Sequence, residues 1–280
     1  MSLTNTLLKL FDYTMPFSTL TKLMGRLAEA KMGKISAFLI RDFIKAYHIN
    51  LEECQKTDPA SYATFNEFFI RKLKKDARPI ADKCLGISPV DGTIGACGTI
   101  TAGRLIQAKG IDYSFKALMG GDSKDCAPFE NGKFATLYLS PSNYHRVHMP
   151  IDATLVKTIH IPGRHFPVGK RNTSHMPGLY TANERLVCIF ETQDGPFCLI
   201  FVGAAIVGSI HTSWSGTVKR RKGLGIKYYE PDQYSFLKGE EIGYFCFGST
   251  VICMWPESFG DFTDNIVEGT PIRMGQPLCR

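Results

Sequence analysis

The chain has 280 residues, 44% of them apolar, with a formal net charge of +7; this length supports one large domain or a core plus an accessory segment, and the apolar fraction excludes a disordered chain. Nine cysteines, an odd number with no Cys-x-x-Cys pair, exclude a disulfide scaffold and a zinc ribbon and imply reduced, buried thiols. The longest apolar run, 197–207, is far short of the roughly 20 residues that span a bilayer, and the first residues lack the pattern of a signal peptide, so a soluble or peripheral protein is expected.

Residues 1–80 read as helical. Leu20, Leu23, Met24, Leu27 and Ala28 fall on one helix face, with Lys22 and Arg26 off it. Ile35, Phe38, Leu39, Phe43 and Tyr47 form a second stripe, flanked by Lys34, Arg41 and Lys45. Thr64-Phe65-Asn66-Glu67 has the form of a capping box opening a short helix that carries Phe65, Phe68 and Phe69. The segment holds thirteen of the 33 basic residues against eight acids, a local charge of +5. Such stripes suit helices lying on an anionic membrane, and equally helices packed on a core with a solvated basic face. No zinc-finger, RNP or helix-turn-helix pattern supports nucleic acid as a partner.

After Pro79, short β-branched and aromatic runs alternate with Gly, Pro, Asn and Asp. Strands are expected at 86–90, 93–97, 134–139, 154–160, 186–191, 197–207, 214–218, 242–247 and 250–254, with Asp91-Gly92 as a hairpin turn between the first two. The fold class is therefore α+β: N-terminal amphipathic helices, 1–80, followed by a mostly antiparallel β catalytic domain, 81–280.

Three stretches carry the chemistry: Ser88-Pro89-Val90-Asp91-Gly92-Thr93, the run from Leu139 through Tyr144-His145-Arg146-Val147-His148 to Pro150, and the run from Leu237 through Glu240-Glu241 to Gly248-Ser249-Thr250. Each has a plain alternative: a turn, a pair of satisfied histidines, a solvated strand end. His145 and His148 lack further ligands at metal-site spacing, so no metal is expected. The Gly248-Ser249 bond is more than a bend if the Ser249 hydroxyl attacks the Gly248 carbonyl. The peptide then becomes an ester, and elimination leaves a pyruvoyl ketone on the new N-terminus, an electron sink made from the chain itself. Gly208-Ser209 is a second Gly-Ser pair without comparable surroundings. A serine hydrolase using Asp91, His148 and Ser249, a pyruvoyl decarboxylase of a soluble amino acid, and a lipid-binding module are the rival readings. The absence of a Gly-x-Ser-x-Gly elbow at Ser249 counts against the first.

Together these stretches resemble the phosphatidylserine decarboxylase family, as do Phe65–Phe69, Asn183-Glu184-Arg185, Val202-Gly203-Ala204 and Lys238-Gly239-Glu240; the likeness runs from about residue 60 to 256. The resemblance implies a triad of Asp91, His148 and Ser249 for self-cleavage between Gly248 and Ser249. Asp91 would orient His148, and His148 would take the Ser249 proton. It implies a β chain 1–248, an α chain 249–280, and a covalent pyruvoyl cofactor derived from Ser249. Phosphatidylserine would condense with it as a Schiff base, lose CO2 and leave as phosphatidylethanolamine, with His145 as proton donor. The implied partners are an anionic phospholipid membrane and the two chains of one precursor, with a homodimer left open. The implied location is the cytoplasmic face of a bacterial inner membrane. Phe247 stands where the family commonly has Leu. Arg164, His165 and Pro167 depart from the family's usual Pro-Gly-x-Leu-Phe-Ser-Val-Asn, which bears on headgroup recognition and not on the triad.

Overall fold

The computed structural model describes residues 17–108, 111–205, 209–219, 221–246 and 249–280. Phe247, Gly248, Gly208 and the side chains of Leu20 and Lys22 lie outside the described residues.

Two helices open the described chain, α1 (Phe17–Glu29) and α2 (Lys34–Tyr47). Helix α2 stops at His48, whose left-handed conformation (φ 51°) lets its N–H bond the Ile44 carbonyl. A one-turn-plus helix α3 (Phe65–Phe69) starts as the sequence predicts. The Thr64 side chain accepts from Glu67 N, and the Glu67 carboxylate reaches back to Ala63 N at 2.7 Å. Ile40, Ile49, Tyr62 and Phe68 bury a small hydrophobic cluster separate from the main core. The stripes themselves are not the buried faces. Helix α2 buries Ser36, Ala37 and Ile40, while Leu23, Leu27, Ile35, Phe38 and Leu39 remain exposed.

The remainder is mostly antiparallel sheet. In chain order the strands are β1 (Gly86–Ile87), β2 (Gly92–Thr99), β3 (Arg104–Ala108), β4 (Ile111–Ser114), β5 (Lys133–Leu139), β6 (Arg146–His148), β7 (Ala153–Ile161), β8 (Arg185–Thr192) and β9 (Gly195–Gly203). They continue with β10 (Ile210–Thr212), β11 (Gly216–Thr217), β12 (Gly225–Tyr228), β13 (Ser235–Phe236), β14 (Glu241–Phe245), β15 (Ser249–Trp255), β16 (Pro271–Ile272) and β17 (Pro277–Cys279). A large sheet runs β12-β7-β8-β9-β15-β5-β2-β16, with β13 also on β7, and a smaller one runs β11-β10-β14-β6. The short helices α4 (Phe115–Met119), α5 (Ser123–Cys126), α6 (Lys170–Thr173) and α7 (Leu179–Ala182) fill the connections. The cysteines are unpaired, and all but Cys84 and Cys97 are buried, as the odd count implied.

The smaller sheet covers one face of the larger. Phe201 of β9 meets Phe245 of β14 at 5.4 Å between ring centres. On the other face, Cys198 touches Met119 of α4. Every residue of β15 is therefore buried, whichever face its side chain takes.

One expectation fails. Asp91-Gly92 is not a hairpin turn, because β1 pairs with β17 and β2 pairs with β5 and β16. Gly92 serves close approach instead: a Cβ there would lie 2.5 Å from the Tyr138 carbonyl oxygen on the neighbouring strand.

Candidate active site

The central strands bring the candidate residues to one end of the large sheet. Ser249, first in β15, is paired with Leu139, last in β5, and with Gly203, last in β9. Thr93 in β2 pairs with Tyr138, so Asp91 enters at the same end. Directly paired residues share a sheet face. Gly203 shares the face of Phe201, so the Ser249 side chain faces the smaller sheet, where His148 closes β6 opposite Glu241. The Ser249 side chain is fully buried, and among the described residues its hydroxyl has no hydrogen-bond partner. An unsatisfied buried hydroxyl costs about 1–3 kcal/mol.

His148 does not meet Asp91 in the expected way. Its Nδ1 lies 2.8 Å from the Gly239 carbonyl, so Nδ1 carries the proton, and its Nε2 lies 2.9 Å from the Tyr144 hydroxyl and accepts from it. The Gly239 carbonyl fixes the tautomer that Asp91 was expected to fix. Burial lowers the proton affinity of His148, opposed by the Gly239 carbonyl and the Glu241 charge.

Asp91 instead takes a bidentate Arg78 guanidinium, Nε to Oδ1 at 2.9 Å and Nη2 to Oδ2 at 2.5 Å, and the Met274 N–H at 2.9 Å. Arg78 also bonds Glu53 at 2.8 Å, tying the helical segment to the site. Asp91 and His148 are nonetheless neighbours, because His148 N donates to the Pro89 carbonyl. The structure brings Asp91, His148 and Ser249 to one region and leaves the triad's hydrogen bonds unformed.

His145 is fully buried. It stacks on Phe69 at 4.2 Å between centroids and donates from Nε2 to the Ser140 carbonyl, one residue beyond the partner of Ser249. Its proton affinity is pushed down to about 3, first by burial and then by the nearby Arg71 cation. Arg71 in turn holds the 140–143 loop through the Ser142 and Asn143 carbonyls. Sequence reasoning missed Arg71, Arg78, Tyr144 and the Gly239 carbonyl. Tyr144 and Gly239 lay inside quoted motifs, whereas Arg71 was one of a run of basic residues, 71–75, and Arg78 stood alone just beyond it.

An apolar cleft of about 740 Å³ leads to this end of the sheet. Its lining includes Leu27, Ile35 and Phe43 from the helical segment and Tyr138 and Ala204, the chain neighbours of both cross-strand partners of Ser249. Among the described residues no group of His, Cys, Asp or Glu could hold a metal ion.

Residues 65–280 match the family model described as Phosphatidylserine decarboxylase, and residues 4–48 match one described as PSD. The chain is 48% identical to the phosphatidylserine decarboxylase proenzyme of Aliivibrio fischeri (strain ATCC 700601 / ES114) and 46% identical to that of Pseudoalteromonas translucida, with 96% of each chain covered in both cases. It is 44% identical to that of Herminiimonas arsenicoxydans, over 99% of this chain and 95% of the relative. With this end of the sheet, its buried serine and its apolar approach accounted for by such matches over nearly the whole length, the chain belongs to the phosphatidylserine decarboxylase family of enzymes.

Proposed function

We propose that this protein is a proenzyme that cleaves itself between Gly248 and Ser249 and then decarboxylates phosphatidylserine to phosphatidylethanolamine. The observation that carries this reading is the buried Ser249 hydroxyl, without a hydrogen-bond partner among the described residues, on a strand whose partners Leu139 and Gly203 adjoin Tyr138 and Ala204 of the apolar cleft. In maturation, the Tyr144 hydroxyl moves off His148 Nε2, and that nitrogen, the one basic position of the ring, accepts the Ser249 proton. The Ser249 oxygen bonds the Gly248 carbonyl carbon as the peptide C–N bond breaks, giving an ester. Loss of the Ser249 α-proton then expels the Gly248 carboxylate and leaves dehydroalanine, whose imine tautomer adds water and releases ammonia to give the ketone. The Asp91 charge, held by Arg78, favours the protonated His148 through space.

A pyruvoyl group at position 249 fits this position, which has a polar atom without a partner among the described residues and a glycine, Gly203, across the strand on one side; it would supply a ketone that condenses with the substrate amine and accepts the electrons left by CO2. His145 is neutral in these surroundings and offers an Nε2–H held by the Ser140 carbonyl. A substrate carboxylate set against it would raise its proton affinity and ready it to protonate the former α-carbon. The cleft houses the lipid chains nearest the headgroup. The exposed apolar residues of α1 and α2 seat the protein on an anionic membrane as a peripheral protein, at the cytoplasmic face of a bacterial inner membrane. Among the described residues no helix is long and apolar enough to cross a membrane.

Mass spectrometry of the purified protein tests the reading. A C-terminal fragment starting at position 249 with a blocked, ketone-bearing end is expected, and Ser249→Ala stays one chain and releases no CO2 from phosphatidylserine vesicles. An intact chain that still decarboxylates, or equal turnover of free serine, refutes it.

A further inference from the structure

A pocket of about 160 Å³ beside the end of α3 is lined by Lys56, Glu67, Arg71, Lys72 and Arg146, among others. Two of its four cations are already paired, Lys56 with Glu67 and Arg146 with Glu241. Arg71 and Lys72 make no ion pair among the described residues.

Arg71 is only 5% exposed. Its Nη2 donates to the Ser142 and Asn143 carbonyls at 2.7 and 3.1 Å, whereas Nε and Nη1 have no hydrogen-bond acceptor among the described residues. A guanidinium withdrawn from water without a counter-charge is costly. The groups beside it are neutral. The Cys54 thiol donates to the Asn50 carbonyl and the Tyr62 hydroxyl to the Lys56 carbonyl, and burial pushes both proton affinities up. Asp91, the carboxylate whose field reaches Arg71, is taken by Arg78.

This pocket shares no lining residue with the apolar cleft. It shares Gln55 and Lys72 with a neighbouring pocket that adds Lys74, Lys75 and Arg78, so an anion approaches through a positive field. At about 30 Å³ for each water-sized group, the volume takes about five heavy atoms, the size of one phosphate. The planar guanidinium fork matches phosphate oxygens in shape as well as charge.

We propose that Arg71 and Lys72 form an anion site that takes one phosphate group, from free phosphate or from the headgroup of an anionic lipid. The Arg71 Nε and Nη1 protons and the Lys72 ammonium donate to its oxygens. The same guanidinium holds the 140–143 loop, whose Ser140 carbonyl accepts from His145, so the bound anion and the proton donor are linked through one side chain. The site goes beyond the decarboxylase reading and does not depend on it.

The test uses the full chain as Ser249→Ala, in chloride at fixed ionic strength. Calorimetry measures two probes, inorganic phosphate and dihexanoyl phosphatidylglycerol below its micelle concentration. Saturable binding of one equivalent is expected. Phosphate binding alone identifies a free anion as the ligand, lipid binding alone a headgroup, and binding of both shows that either source fills the site. Arg71→Gln should weaken binding about tenfold or more, and Lys72→Gln by about two- to fivefold. Lys124→Gln, the same charge change on α5, should leave it unchanged. Should Arg71→Gln fail to fold, Lys72→Gln decides, and unchanged binding there overturns the proposal. Undiminished binding in a folded Arg71→Gln overturns it, as does the absence of saturable binding by either probe. An equal loss in Lys124→Gln would show general charge attraction and overturn it too. Cleavage plays no part in this measurement, so failure of the unaltered chain to mature would overturn the function proposed above instead.

Discussion

Acidification should weaken the fold through His145, and removing that imidazole should remove the weakness. In the folded protein the proton affinity of His145 is pushed down to about 3 by burial, against an ordinary value of 6.5. Between those values the unfolded chain binds a proton that the folded chain refuses. The stability held by neutral His145 is thus complete above pH 6.5 and drains as pH falls toward 3, by up to about 1.4 kcal/mol per unit. At about pH 5 the loss from this residue is about 2 kcal/mol. Urea unfolding of Ser249→Ala, a single chain suited to two-state treatment, should be followed from about pH 7.5 to about pH 5, beside the double variant with His145→Asn. His148 is shifted the same way and stays in both proteins, so its contribution cancels. The double variant should start less stable but lose about 2 kcal/mol less over the range. Equal losses would show that His145 accepts a proton in the folded state, and would refute its role as a neutral N–H donor.

Arg78→Met should destabilise by about 3–5 kcal/mol in urea, because Asp91 would remain buried with only the Met274 N–H; adding Asp91→Asn should recover much of that loss. Gly203→Ala should still cleave on a denaturing gel, since its Cβ meets nothing closer than 3.3 Å. Gly203→Val should not, because its methyl groups enter the space between His165 and Ser249. Phe38→Asp should leave stability within about 0.5 kcal/mol, Phe38 being 66% exposed, while co-sedimentation with phosphatidylserine vesicles drops; undiminished binding would remove α2 from the membrane contact.

The architecture was legible where local pattern decides it. The helical stripes, the Thr64 cap and the long buried strands β5, β7, β8, β9 and β15 stand near where periodicity put them. The short strands β3, β4, β12, β16 and β17 were not foreseen, because two to five residues give too little periodicity to separate them from loop. Asp91-Gly92 misled because a glycine required for close approach to Tyr138 looks the same in sequence as one required by a turn. A stripe also does not say which surroundings it faces: Ile35, Phe38 and Leu39 read as core or as membrane surface, and only the packing of Ser36, Ala37 and Ile40 shows them outside. The motifs that hold Asp91, His148 and Ser249 were legible in the sequence, but the bonds these residues make were not. Arg78 reaches Asp91 across thirteen positions and Gly239 reaches His148 across ninety-one, and no local rule connects such pairs.

The place of β15 constrains the order of events in the life of the molecule. It is an interior strand, hydrogen-bonded to β5 along its whole length and to β9 along most of it. A chain cut at position 249 before folding would have to insert a short free peptide into the interior of the large sheet, as a two-body encounter. A chain that folds first and breaks afterwards has the strand already seated, and the fragment is trapped by its neighbours. If the proposed cleavage occurs, it is a one-way event: enzyme denatured after cleavage should regain activity poorly and in proportion to concentration, whereas the uncut precursor should refold as a single chain.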